Sequence, residues 1–235
     1  MAAAVVAVMR ERRVFASIDV HNNTGLNPHY ACVNRLDNSF LQLAALFGRL
    51  VVYFKRPTGV LSAAFALSCP SVTLECGRPG QQYGVDHAYE FLDGCLHLNA
   101  LPDQPVHARD IDLFHTVAQV KIADTISFSF TRADCDLLLS EDLERMNFTE
   151  VAPGTILGKA RHPTLSPLLA QDEQGNDITA HFFDLSNGNL QITRPTMPSM
   201  LTLDERVIKQ DCLCYLMERI HFPDIRNPSS YEPTL

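Results

Sequence analysis

One strand constrains the fold of this chain more than any other stretch. Val14, Ile18 and Val20 are β-formers, and the run closes abruptly on His21-Asn22-Asn23-Thr24-Gly25. Open α/β sheets bind their ligands at the carboxyl ends of their strands, so a histidine placed there is a candidate site residue. The layout recurs at Ser71-Val72-Thr73-Leu74-Glu75-Cys76-Gly77, where a strand ends in a single carboxylate before Arg78-Pro79-Gly80. A carboxylate closing such an apolar strand costs free energy if buried without a partner, which marks Glu75 as exposed or employed.

The segments around these two strands alternate in type. Ala2–Arg12 predicts a helix leading into the strand Val14–Val20, and Tyr30–Val33 a short strand. Asn38-Ser39 offers an N-cap for a helix bearing Phe40, Leu41, Leu43, Ala44 and Phe47, closed near Gly48. Leu50–Phe54 reads as a strand, Val60–Leu67 as a short helix, Val72–Cys76 as a strand and Val85–Leu98 as a helix. Apolar strands alternating with helices predict a partly parallel sheet flanked by helices over residues 1–100.

The pattern changes after Leu101-Pro102-Asp103-Gln104-Pro105. Ala118, Val120 and Ile122, then Ile126, Phe128 and Phe130, follow a period of two. Ser186-Asn187-Gly188-Asn189 between Ile178–Leu185 and Leu190–Thr193 is a hairpin signature. Residues 104–200 therefore read as a small antiparallel β domain. Thr202-Leu203-Asp204-Glu205 resembles a capping box, and Ile208, Cys212, Leu216 and Ile220 predict a helix over 201–222. Residues 223–235, rich in Pro, Asn and Ser, read as a loose tail.

Bulk properties exclude some classes. The net charge of −8 and the lack of a Lys/Arg cluster argue against nucleic-acid binding. No stretch reaches the about 20 apolar residues of a membrane-spanning helix. Met1–Val8 is apolar, but Arg10, Arg12 and Arg13 follow it, the reverse of a secretory signal. It reads instead as the later part of an amphipathic helix, as if the chain began mid-helix. Seven cysteines without regular spacing imply reduced, buried thiols and a cytoplasmic location.

The site chemistry starts from His21 and Glu75. A hydrolytic zinc site needs three protein ligands and a position for water, with a carboxylate beside it to move protons. His21 fits one ligand place, Glu75 the proton-handling place, and Asp19, on the same side of the strand two residues earlier, can orient the imidazole. Asn22, Asn23 and Arg78 are candidate pocket residues. The other histidines fit less well: His87 and His97 lack i, i+4 spacing on their helix, and His107 and His115 alone do not supply a cupin-like cluster. Asn147-Phe148-Thr149 matches a glycosylation sequon in a chain without a secretory signal.

Ile18-Asp19-Val20-His21-Asn22-Asn23-Thr24 resembles the Asp-Leu-His-Asn/Ser segment of the succinylglutamate desuccinylase/aspartoacylase family, within the zinc carboxypeptidase superfamily. Thr73-Leu74-Glu75-Cys76-Gly77 resembles its Val-Glu-x-Gly segment. The resemblance implies a truncated zinc carboxypeptidase-like fold, one zinc ion, His21 as the last of three ligands and Glu75 as general base or acid. It also implies hydrolysis of an amide in an N-acyl amino acid or peptide by metal-activated water, with a small-molecule or peptide substrate. Three family features have no counterpart: the upstream His-x-x-Glu ligand pair, the Asn-Arg pair that holds the substrate carboxylate, and an arginine where Phe65 stands. With two ligands missing, zinc is expected to bind weakly or not at all. The expectations are then an impaired hydrolase or, as the alternative, a non-catalytic interaction module on the same scaffold.

Overall fold

The computed structural model describes residues 2–162 and 166–221. The described residues fall into two compact units: 2–22, 28–115 and 219–221 belong to the first, and 23–27, 116–162 and 166–218 to the second. The expected loose tail at 223–235 lies outside the described residues.

The first unit is built from α1 (Ala2–Arg10), β1 (Ser17–His21), β2 (Tyr30–Val33), α2 (Asn38–Phe47), β3 (Leu50–Tyr53), α3 (Leu61–Phe65), β4 (Ser71–Glu75), α4 (Gln82–Leu96) and the start of β5 (Asp112–Ile122). Its strands follow the order β1-β4-β2-β3-β5. The β1–β4, β2–β3 and β3–β5 pairs are parallel, and β2–β4 is antiparallel. This is the expected partly parallel sheet flanked by helices.

Apolar runs rather than strict alternation made these strands readable, and all five residues of β4 are buried. Phe40, Leu41, Leu43, Ala44 and Phe47 of α2 form a buried stripe packed with Val51, Val72, Leu74 and Leu113. The cap of α2 is Asp37, one residue before the expected Asn38, and its side chain makes no capping bond.

The rest of β5 opens the second unit. It continues through β6 (Phe128–Ser129), β7 (Leu137–Leu139), β8 (Ile156–Ala160), β9 (Leu168–Gln171), α5 (Thr179–Phe182), β10 (Phe183–Ser186), β11 (Asn189–Ile192), β12 (Met197–Ser199), α6 (Glu205–Gln210) and β13 (Cys214–Arg219). Five strands form a sheet in the order β10-β11-β8-β7-β6. The hairpin falls where expected: Asn187 and Gly188 both take positive φ, 51° and 79°, as a type I′ turn demands. Phe128, Leu137, Leu157, Phe182, Leu190 and Leu213 are among the residues of its core.

Two local expectations in this region are corrected. Ile178 does not open a strand: Thr179–Phe182 is a single helical turn before β10. The helix expected over 201–222 is cut short. Only Glu205–Gln210 is helical, capped by Asp204, whose carboxylate accepts from the Arg206 backbone N–H. Cys214–Arg219 is instead a strand, antiparallel to Met197–Ser199. The β-forming run Cys-Tyr-Leu-Met finds a ladder partner there, and that pairing outweighs a stripe with helical spacing.

Candidate functional site

The parallel β1–β4 pair sets the geometry. Its register runs from Ser17 opposite Ser71 to His21 opposite Glu75, so the two site candidates end neighbouring strands as direct partners. In-register residues of neighbouring strands lie about 4.8 Å apart and project to the same side of the sheet. The ladder extends one step further, with the Cys76 N–H donating to the His21 carbonyl at 2.9 Å.

The side chains differ in their surroundings. Glu75 is buried, at 6% exposure. His21 keeps 48% of its side chain exposed, and its Nε2 lies 3.0 Å from Asp19 Oδ1. Asp19 thus partners the imidazole, as their i, i+2 spacing on one strand allows. Asn22 works at the same edge, where its side-chain N–H donates to the Gly77 carbonyl at 3.2 Å. That bond ties the chain leaving β1 to the turn leaving β4.

The turn depends on glycine. Gly77 has φ +76° and Gly80 φ +80°, the left-handed region where a Cβ is strained. Arg78 sits in this turn, and its backbone N–H donates to Gln81 Oε1 at 3.2 Å. Asn23 belongs to the loop 23–27 of the second unit, where its Oδ1 accepts from Asn27 Nδ2 at 3.0 Å.

Two thiols lie in the field of Glu75. Burial and then the Glu75 carboxylate push the Cys76 thiol up to about 11, and the same two causes raise Cys32 well above the usual thiol range. Both causes favour the protonated thiol at neutral pH.

The donor set decides whether these residues suit zinc. Among the described residues, no group of three or more His, Cys, Asp and Glu side chains is placed to hold a metal ion. His21 and Asp19 supply two donors at most, already paired with each other. A hydrolytic zinc site takes three protein ligands. The residues present therefore do not fit a complete zinc site.

The remaining histidines separate. His107 is exposed, accepting at Nδ1 from the Arg109 N–H, while His115 is fully buried and stacks on Tyr53 at 5.0 Å. His97 Nδ1 lies 2.7 Å from the Asp93 carbonyl on the exposed end of α4. His29 and His87, by contrast, come together with Nδ1 atoms 2.7 Å apart, and His29 abuts Gly77. Sequence reasoning missed this pair. His29 precedes β2, whose antiparallel pairing with β4 brings Tyr30 opposite Glu75, and no local pattern announces that pairing.

No family model matches this sequence, and neither does any curated protein. Solved structures do match. A succinylglutamate desuccinylase from Chromobacterium violaceum aligns at a TM-score of 0.54 and 16% identity, covering 94% of this chain and 61% of that one. The succinylglutamate desuccinylase/aspartoacylase from Rhodobacter sphaeroides aligns at 0.53 and 14%, covering 93% and 62%. The chain has the succinylglutamate desuccinylase/aspartoacylase fold. A succinylglutamate desuccinylase from Vibrio parahaemolyticus agrees, at 0.54 and 15%, with 94% of this chain and 59% of that chain covered. The chain spans about three-fifths of the length of these desuccinylase-fold structures. Within the fold, the desuccinylase-like sheet carries the His21–Glu75 edge described above.

Proposed function

We propose that this chain carries part of an amide-hydrolysing site of the desuccinylase/aspartoacylase type, acting on small N-acyl amino acids or peptides. The supporting observation is the β1–β4 register that sets His21 beside Glu75. In this reading Glu75 is the group that takes and returns a proton, because its carboxylate is buried at the strand end where a substrate amide would lie. His21, oriented by Asp19, is a metal donor in search of further ligands. Asn22 and Arg78 line the same edge, Asn22 holding the two strand exits at a fixed spacing.

Two donors support only weak zinc binding, so this polypeptide by itself is expected to be a poor catalyst. The assay is hydrolysis of N-succinylglutamate and N-acetylated amino acids by the purified chain, with and without added zinc. The expected result is slow turnover that disappears in Glu75→Gln. Turnover unchanged in Glu75→Gln would remove the proton-moving role, and rapid turnover would remove the impairment.

The donor shortfall favours a second reading, a non-catalytic binding module on the same scaffold. Zinc titration separates the two: weak binding that depends on His21 supports the hydrolase, and no binding supports the module. The seven cysteines are all free, which suits a reducing compartment, and we assign the protein to the cytoplasm on that ground. No helix among the described residues is long and apolar enough to cross a membrane.

A further inference from the structure

His29, His87 and Gly77 form a cluster that the hydrolase reading leaves unused. His87 Nε2 lies 2.7 Å from the Phe47 carbonyl, and a carbonyl only accepts. His87 therefore carries its proton on Nε2, and in the neutral ring its Nδ1 is an acceptor. His29 Nδ1, 2.7 Å away, must then be the N–H that donates to it. That leaves His29 Nε2 without a proton.

This last nitrogen is buried and has no hydrogen-bond partner among the described residues. It packs on Gly77, where a Cβ would lie only 3.0 Å from it. A proton on Nε2 would be a buried donor facing a Cα carbon, which costs more than a bare acceptor there. The stack is well supported: His29 lies 5.0 Å from His87 and 5.1 Å from Tyr83, and His87 lies 4.2 Å from Phe47.

We infer that His29 and His87 form a neutral imidazole relay, anchored on the Phe47 carbonyl, whose bare Nε2 end sets the position of the Gly77 turn behind Glu75. The inference rests on the catalytic reading of Glu75 for its functional meaning. Gly77 is the point of transmission. One side of it meets the His29 ring, and its carbonyl accepts the Asn22 bond that spaces the β1 and β4 exits. His29 and His87 are thus positioning residues, acting on Glu75 through backbone and touching no substrate themselves.

The relay works only while both rings are neutral, since a second proton on His87 removes the acceptor. Burial, with His87 next, lowers the pKa of His29 from 6.5 and holds that ring neutral at physiological pH. The other titratable groups on the elements around the pair are Tyr30 and Cys32 on β2, Tyr83, Asp86, Tyr89, Glu90, Asp93 and Cys95 on α4, Glu75 at the end of β4, and Cys76 and Arg78 just after it.

Nitrogen-15 NMR of the full chain, labelled at histidine and asparagine, tests the relay without relying on activity. The expected pattern is His29 protonated at Nδ1 and His87 at Nε2, with the hydrogen-bonded Asn22 side-chain amide lost on the same acid titration as His29. His87→Phe keeps a flat ring between Phe47 and His29 but supplies no acceptor. It should shift the His29 proton toward Nε2 and speed Asn22 exchange about tenfold, the loss of one hydrogen bond. His87→Gln, which returns an acceptor oxygen, should restore both signals in part.

A wild-type His29 protonated at Nε2, or Asn22 exchange equal in wild type and His87→Phe, overturns the relay. Should His87→Phe fail to fold, the wild-type tautomers and the coincidence of the two acid titrations decide. Glu75→Gln tests catalysis separately: unchanged turnover overturns the proton-moving role of Glu75, while the tautomer pattern continues to judge the relay on its own.

Discussion

The end of the β1–β4 pair and the loop around Asn147 both bury polar side chains, and they use them differently. Asn147 is 8% exposed, and its amide makes three bonds to backbone, donating to the carbonyls of Leu26 and Leu201 and accepting from the Leu201 N–H. Both N–H groups of its amide nitrogen, the atom a sugar would need, are engaged in holding the loop. At the β1–β4 edge, His21 pairs with the Asp19 carboxylate and stands in register with buried Glu75, and its own side chain is half exposed. The contrast teaches that an amide whose bonds all end on backbone holds a loop, whereas ionisable groups gathered at strand ends mark a site.

Several substitutions would sharpen or break that contrast. The largest effect is expected at Glu75. Glu75→Gln should lower residual amide hydrolysis by about 10²–10⁴-fold, the usual worth of a general acid or base, with little change in the unfolding midpoint. A stability loss without an activity loss would make the edge as structural as the loop. Asn147→Ala should do the reverse, costing about 2–4 kcal/mol in denaturant unfolding of the second unit because buried Leu201 groups lose their partner. Gly77→Ala combines positive φ with contact on the His29 ring and should cost about 1–2 kcal/mol.

Acid should unmask the first unit in two stages. His29 has a lowered folded pKa, so its contribution to stability is complete above 6.5 and is lost as pH falls through the lower folded value. Asp112 comes later. The hydrogen bond from Arg49 holds its carboxyl below 3.8, burial opposes this, and Arg219 adds to the lowering. Its contribution is present above 3.8 and lost as pH falls through its folded value. Asp112→Asn should remove that second stage and cost about 1 kcal/mol at neutral pH, the smallest effect of the set. Unfolding midpoints measured from about pH 8 down to about pH 3 check both stages.

Much of the first unit was legible because β2, β3 and β4 are largely buried on both sides and read as apolar runs between breakers. Tyr30–Val33 and the α2 stripe came directly from such runs. The second unit was harder to read. Cys214–Arg219 carries helical spacing from residue 208 onward, and only its pairing with Met197–Ser199, distant in sequence, reveals a strand. The site divided likewise. His21 and Glu75 could be named because each ends a recognisable strand, Asn22 because it follows one, and Asp19 because it lies two residues before His21 on the same strand. His29 and His87 could not, since their meeting depends on the antiparallel β2–β4 pairing and on α4 packing beside α2.

The most direct test of the central claim is zinc titration of the purified chain alongside His21→Ala and Glu75→Gln. Weak binding that is lost in His21→Ala and retained in Glu75→Gln is the predicted result. Zinc held equally by the wild type and His21→Ala would contradict it, because the ion would then sit away from the strand ends on which the functional reading is built.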